Sequence, residues 1–425
     1  MTSKCYVWKW LERAVDPVVA GVLTQDDKGN QQFNYGKSYL ALANATPIYQ
    51  EELPLKVEIQ NPFDGLKNIA CIRDASPDAW GRRVIINRLF APKEDGQDGE
   101  KFDAELSEIT YLLESASDRV GSLDFQESPS IYVPRFENDA TLQDLYQAAD
   151  KVLKGEPIPK SLENALMHGT SIGGARPKSM LRSAEAKYIA KFSSSDDTYD
   201  VVKSEFVAMR LAKIAGLNVA DVKLEKALAK DALIVTRFDR TPTDIGWLKH
   251  SIISALTVLE LDETWAREAS YPNLLEKIKL NGTTYKKQAK ELFGRMVFNV
   301  LVGNTDDHAR NHAFFVIGNK IELTPAYDIC PQDRAGGEAS HGMKLTHQSN
   351  LSKLSLCIET ANNFGLSVDE AEEIIVSFIN TISHNFDDIC QEAQLSQASK
   401  NVLWKRAILN NNIFYGGCEH LMPKE

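Results

Sequence analysis

Cysteine is scarce, and none of the six cysteines forms a C-x-x-C pair or groups with histidine. Cys5, Cys71, Cys330, Cys357, Cys390 and Cys418 are scattered, which argues against a disulfide framework or a structural zinc site and predicts buried free thiols. Long apolar runs are missing too. A membrane span needs ~20 residues, and the stretch Met296–Val302 is already interrupted by Asn299. The opening segment MTSKCYVWKWLERAVD meets charge too early to hold a signal-peptide core, so a cytoplasmic location is expected. Basic residues are in deficit, 48 against 59 acidic ones, for a formal net charge of −11. That balance argues against sequence-independent nucleic-acid binding by the whole surface. Internal repeats and low-complexity tracts are absent from the sequence. What is present is an ordinary globular mixture, 43% hydrophobic and 25% charged over 425 residues, which excludes a mainly disordered chain. At roughly 150 residues per domain it predicts two or three domains.

The first section reads as short strands and turns, with strand candidates at Cys5–Trp10, Val18–Thr24, Gln32–Tyr35 and Tyr39–Ala43. Ser76 and Pro77 have the chemistry of a helix start and lead into Asp78–Ile86. A change of character near 125–160 marks a boundary, with a helix over Leu142–Leu153 ended by Gly155–Pro159. Beyond Gly169 the pattern predicts a strand at Ala186–Phe192, a helix at Val201–Ala215 stopped by Gly216, and a buried strand at Ala232–Phe238. Leu292, Met296 and Val300 define an amphipathic helix over 287–302, and Ser367 with Glu370 has capping-box spacing. Strands followed by helices suggest two lobes.

The sharpest chemical signal is GNTDDHARN, Gly303–Asn311, an oxygen-rich loop where a helix closes. A hairpin candidate follows, Ala313–Ile317 and Lys320–Leu323 around Gly318–Asn319, and then Thr324–Asp328. Phosphoryl transfer to a hydroxyl needs a carboxylate that positions the acceptor and accepts its proton. It also needs amide and carboxylate oxygens that hold Mg²⁺ against nucleotide phosphates. Asp306 and Asn311 have the D-x-x-x-x-N spacing of a kinase catalytic loop, and Asp328 stands where the second metal ligand falls. Alone this spacing is weak, because an Asp- and Asn-rich loop can equally cap a helix and turn the chain. His308 either orients Asp306 or donates a hydrogen bond to backbone.

Upstream, Ser171, Ile172, Gly173, Gly174 and Ala175, running on to Lys178, make a small-residue loop whose N–H groups can approach phosphates, although it lacks the Walker pattern. Lys191 can reach phosphate oxygens as a point charge, or is a solvated edge lysine as Lys187 is expected to be. Glu205 either pairs with Lys191 or lies on the wet face of its helix. The run Leu233–Asp239, containing Val235, Thr236 and Phe238, is either a hinge that holds adenine or ordinary core.

Together these residues resemble the HipA-like serine/threonine kinases, toxins of bacterial toxin–antitoxin pairs. The matching stretches are SIGGARPKSML (171–181), YIAKF (188–192), EFVAMRLAKIAGLNV (205–219), ALIVTRFDR (232–240), FNVLVGNTDDHARNH (298–312) and LTPAYDI (323–329). The YLALANATPI and DASPDAWGRRVI segments are similar to the small β-rich domain that precedes the kinase core in this family. The resemblance implies an α+β, two-lobed protein-kinase-like fold. Its parts would be a β-rich N-terminal domain over 1–125, a linker and N-lobe over 126–240, and a mostly helical C-lobe over 241–425. It implies ATP and Mg²⁺ as cofactors, Asp306 as the catalytic carboxylate with His308 beside it, Asn311 and Asp328 as metal ligands, and Lys191 on the ATP phosphates. Ser171 matches the loop serine whose autophosphorylation disorders the phosphate loop and silences the kinase; Thr170, its neighbour, is the alternative acceptor. The implied partner is a small, dimeric helix-turn-helix antitoxin (HipB-like) that binds kinase and operator DNA together. The implied substrate is a cellular protein, aminoacyl-tRNA synthetases among them, whose phosphorylation stalls growth. One departure is Thr236, where some relatives carry a glutamate at the hinge.

Two other readings compete. Asp306, His308 and Asn311 also fit the D-x-H-x-x-N loop of phosphatidylinositol kinases, which leaves a lipid or small molecule as acceptor. The chain has no basic amphipathic helix suited to a membrane surface, so a protein hydroxyl is favoured. A catalytically silent corepressor scaffold is the second alternative, against which the intact set Lys191, Asp306, Asn311 and Asp328 weighs.

Overall fold

In a computed structural model, the described residues are 3–90, 106–135, 141–154, 156, 162, 167, 170–171, 174, 176–193, 197, 199–227, 230–333 and 337–423. They form two compact units, Met1–Ser194 with Glu225–Ile253, and Ser195–Leu224 with Ser254–Glu425.

The first unit opens with β1 (Lys4–Trp10), β2 (Pro17–Gln25) and β3 (Gln31–Tyr35), which join β4 (Leu123–Gln126) in an antiparallel sheet of order β3-β2-β1-β4. The register slips between Val7 and Trp8, a bulge that re-aims the tryptophan half of β1. Gly21 is required where β2 meets β3, because a Cβ there would collide with the Asn34 carbonyl. The expected strand at Tyr39–Ala43 is instead a helical turn over Lys37–Leu40. Leu40 and Ala41 donate to the Gly36 and Lys37 carbonyls at 3.0 and 3.1 Å, so local i→i−4 bonds take the place of a ladder. Tyr39 is buried by that turn and stacks on Tyr35.

Helices α1 (Ala79–Phe90), α2 (Glu108–Glu114) and α3 (Leu142–Lys154) follow, α1 and α3 close to their expected places. A second sheet, of order β5-β6-β8-β7, holds β5 (Lys178–Arg182), β6 (Lys187–Phe192), β7 (Val222–Ala227) and β8 (Lys230–Thr236). The short ribbon β9 (Arg240–Thr243) and β10 (Gly246–Lys249) is a separate two-stranded sheet that follows β8 in the chain. Trp80, Val84 and Ile85 of α1 and Tyr146 and Val152 of α3 pack with Ala190, Phe192 and Ile234 of the sheet. Burying a side chain such as Phe192 or Ile234 contributes roughly 1.5–3 kcal/mol each.

The second unit is mainly helical: α4 (Val201–Ile214), α5 (Tyr271–Asn281), α6 (Tyr285–Val302) and the 25-residue α7 (Val368–Glu392). The capping box read at Ser367 and Glu370 forms in full, each side chain bonding the other's backbone N–H. Ile375, Phe378 and Ile382 are the buried stripe of α7, with Phe378 edge-on to Phe298 of α6. The hairpin β11 (Ala313–Ile317) and β12 (Lys320–Leu323) has the expected Gly318–Asn319 turn, with Gly318 at φ 58°. The six cysteines are all buried and free. No helix among the described residues is long and apolar enough to cross a membrane.

Candidate active site

Helix α6 stops because Gly303 adopts φ 69°, and no other residue fits there: a Cβ would lie 2.5 Å from the Ala407 carbonyl. Asn304 fastens the exit, its N–H on Asn299 O at 2.9 Å and its Nδ2 on Asn299 Oδ1 at 3.1 Å. The chain then presents two adjacent carboxylates with opposite surroundings. Asp306 is exposed, whereas Asp307 is buried. The Asp307 carboxylate lies 2.7 Å from His312 Nε2 and accepts the Tyr271 hydroxyl at 2.5 Å. Asn299 Nδ2 donates to that hydroxyl in turn, at 3.3 Å. Burial by itself would raise the Asp307 carboxyl, but His312, then His341 and the tyrosine hydroxyl, outweigh it and hold the group below its ordinary range. Burial, reinforced by Asp307, pushes the Tyr271 hydroxyl well above its own.

This buried set is what reading the sequence missed. The available signal was Asn299 itself, a polar residue breaking an apolar run. The loop is also clamped through its backbone, where Gly342 N–H donates to Thr305 O at 3.0 Å and Met343 N–H to Asp307 O at 2.8 Å.

Asn311 lies in the 3-10 turn Ala309–Asn311, and its Nδ2 donates to Asp306 O at 3.2 Å. That bond fixes the amide and leaves Oδ1 as the atom open to a cation. Asp328 lies in a segment held on two sides. Ala326 exchanges hydrogen bonds with Asn218 and Ala220 at 2.7 and 2.9 Å, and the Tyr327 hydroxyl donates to Arg310 O at 2.8 Å. The Tyr327 bond ties the Asp328 segment directly to the Asp306–Asn311 loop. Asp328 itself has φ 60°, a left-handed conformation sparsely used outside glycine and retained only where surrounding structure imposes it. Among the described residues no group of three or more His, Cys, Asp or Glu side chains is arranged for a metal ion. An Asn and an Asp oxygen, completed by phosphates and water, suit Mg²⁺, which keeps much of its hydration; the residues present therefore fit that ion. His308 forms neither expected bond: its side chain makes no hydrogen bond among the described residues, and Nδ1 is buried without a partner.

In the first unit Lys178 and Lys191 are directly opposite on β5 and β6. Lys178 Nζ also fills the space where a Gly174 side chain would be. Gly174 has φ 101°, as the small-residue loop expects, but its N–H is not free for a phosphate: it donates to Asp78 Oδ2 at 2.5 Å. Ser171 is buried and donates to Asp118 O at 3.0 Å. Thr170 is sealed more tightly, donating to Met167 O at 2.7 Å and accepting from Ala116 N–H at 3.1 Å. Ile172, Gly173 and Ala175 lie outside the described residues.

On β8 Val235 is buried and Thr236 half-buried; Phe238, just beyond, is half-buried too. Between and after them the chain is not ordinary core, because Arg237 and Arg240 share the Asp239 carboxylate, each at 2.8 Å. The expected surface role of Lys187 is corrected: it is largely buried and paired with Asp118 at 2.6 Å. Glu205, in the second unit, is buried on α4 and so does not occupy a wet face.

The fold is shared with a solved HipA from Shewanella oneidensis, determined with HipB and its operator DNA. The TM-score is 0.70 at 17% identity, covering 97% of this chain and 100% of that one. It is thus the α+β fold of a kinase-type protein. A sequence model of the HipA-like C-terminal domain matches residues 170–386, just over half of the chain, and the chain belongs to that family. It is also 28% identical over 215 residues to the serine/threonine-protein kinase toxin HipA of Shewanella oneidensis, across 43% of this chain and 49% of that protein. It is 26% identical over 180 residues to a putative kinase of Haemophilus influenzae, across 38% of this chain and 52% of that protein. The chain therefore spans about half the length of these two relatives.

Proposed function

We propose that the protein is an ATP- and Mg²⁺-dependent serine/threonine protein kinase, acting as the toxin of a toxin–antitoxin pair. The observation that carries this is the division of labour in the loop after α6. A buried Asp307–His312–Tyr271 anchor leaves the Asp306 carboxylate exposed, with an amide bonded to its own backbone and with Asp328, at positive φ, next to the tyrosine that bonds the same loop. Asp306 then positions an acceptor hydroxyl and takes its proton, which requires an exposed, ionised carboxylate. Asn311 and Asp328 would hold Mg²⁺, which neutralises phosphate charge during transfer. Lys191, with Lys178 opposite it on the neighbouring strand, would contact the nucleotide phosphates.

Ser171 is the better autophosphorylation candidate than Thr170, because it has one hydrogen bond to surrender where Thr170 has two. Either hydroxyl must leave its buried seat first, so phosphorylation of Ser171 would trap the loop out of place and silence the enzyme. The likeness in fold to a HipA solved with HipB and operator DNA supports a dimeric helix-turn-helix antitoxin as partner, with DNA contacted through it. The protein substrate, an aminoacyl-tRNA synthetase among the candidates, follows from the family resemblance alone.

Labelled ATP with Mg²⁺ tests the proposal. Wild-type chain should label itself or a co-incubated protein, and Asp306→Asn should lower the rate at least 10²-fold, in keeping with loss of a general base, while ATP still binds. Full turnover in Asp306→Asn removes that residue from its role. No transfer by wild type, with the antitoxin still bound, favours the corepressor scaffold.

A further inference from the structure

One connected cluster in the first unit sets six cationic side chains, Arg119, Arg135, Lys187, Arg237, Arg240 and Lys249, against three carboxylates, Asp118, Asp124 and Asp239. Five of the cations have carboxylate partners within 3.2 Å. Lys249 is the exception. It is opposite Arg240 on the β9–β10 ribbon, and its Nζ stands 3.3 Å above the centre of the Trp10 ring. Among the described residues its amine has no hydrogen-bond acceptor, and the groups that face it are Arg240, Asp118, Asp124 and Lys187. The indole face favours an ammonium, but burial and the adjoining Arg240 oppose it more strongly and bring the group down to about 7.

Lys9 makes the comparison that separates geometry from acidity. It too is brought down to about 7 by burial. Its Nζ, however, is committed to Thr46 O, Thr46 Oγ1 and Pro47 O at 3.0, 2.7 and 2.7 Å, in a nearly sealed site. Lys249 as a residue keeps partial exposure, and among the described residues its amine meets the Trp10 ring but no hydrogen-bond acceptor.

We propose that Lys249 is a modification site, N-acylated by small anionic acyl phosphates. The neutral amine attacks the acyl carbon and a C–N bond forms. The C–O bond to phosphate breaks, phosphate leaves with the electron pair, and the surplus proton on nitrogen passes to water. No oxidant or reductant is involved. The cationic surplus serves twice, keeping the amine unprotonated and drawing in the anionic donor. The amide product then removes the one cation of the cluster that lacks a carboxylate partner.

The test is brief incubation of the full, folded chain with acetyl phosphate from pH 6.5 to 9, with acetylation at each lysine quantified by peptide mass spectrometry. Lys249 should react several-fold faster than the median surface lysine at pH 7. Its rate should level off by about pH 8, while exposed lysines continue to rise roughly tenfold per pH unit, as amines of ordinary acidity do. Lys9 should stay unmodified, and in denaturant the advantage of Lys249 should vanish. Equal or slower labelling of Lys249 than of surface lysines overturns the proposal, as does an advantage that persists in the unfolded chain. Preferential labelling of Lys9 would show that acidity alone, without the geometry described, governs the reaction.

Discussion

Two aspartates adjoin in the loop after α6, and packing assigns them different work. Asp306 meets solvent, while Asp307 meets His312 and Tyr271 inside the second unit. The pair reads as two equal carboxylates in sequence, and D-x-x-x-x-N spacing alone selected the exposed one. What spacing did not disclose is the anchor beneath it, because Tyr271 reaches Asp307 from a helix 36 positions away in the chain, and Asn299, 8 positions away, bonds the tyrosine in turn. The hydroxyl of Tyr271 bonds a buried charge, and such bonds contribute about 1.5–3 kcal/mol. Tyr271→Phe should lower stability by about that amount in denaturant unfolding. It should also reduce kcat more than the ATP KM, since it loosens the carboxylate loop and not the lysine pair. A variant with unchanged kcat and unchanged unfolding midpoint would show that Asp307 needs only His312.

Helix α1 and Gly174 illustrate a contact that no local pattern announces. Ser76 and Pro77 signal a helix start, and α1 does begin at Ala79. Asp78, just ahead of it, reaches across to the Gly174 N–H at 2.5 Å. A carboxylate in that place occupies the donor that a phosphate oxygen would use. Asp78→Ala should therefore lower the KM for ATP several-fold, measurable by initial rates or by titration calorimetry. A higher KM would mean that Asp78 orders the loop instead of competing for it. The helices α4, α6 and α7 and the β11–β12 hairpin were legible because their signals are local: apolar spacing, a Gly stop, a capping box, a Gly–Asn turn. The Lys37–Leu40 turn was not, because residues that alternate in a strand also fill one turn of helix once Gly36 supplies the cap.

Acidity acts on the molecule as a whole. Asp124 and Asp239 are buried and Asp118 is half-buried, each among cations that outweigh the cost of desolvation, with Asp239 brought down to about 2 and the other two lowered as well. A carboxyl whose folded value is depressed contributes stability that is complete above its unfolded value of about 3.9, and loses it as pH falls through the folded value. With Asp307 behaving alike in the second unit, the chain should be insensitive to pH from 7 to about 5 through these groups, then unfold on acidification toward pH 2. Circular dichroism against pH measures this. Asp239→Asn should be less stable at pH 7 yet lose less between pH 5 and 2 than the wild type, and an identical acid profile would exclude Asp239 as a contributor.

The sequence by itself determined most of the elements and the free cysteines, and offered Asp306, Asn311 and Asp328 as candidates, because helix stops, caps, turns and short motifs are written in residues near one another in the chain. Only the tertiary structure decided which of two adjacent aspartates is buried, that Lys187 is an ion-pair partner and not a surface lysine, and that Lys249 stands over Trp10 with no acceptor among the described residues. Burial and charge neighbourhood are sums over every segment that folds against a site, and those segments are distant in sequence.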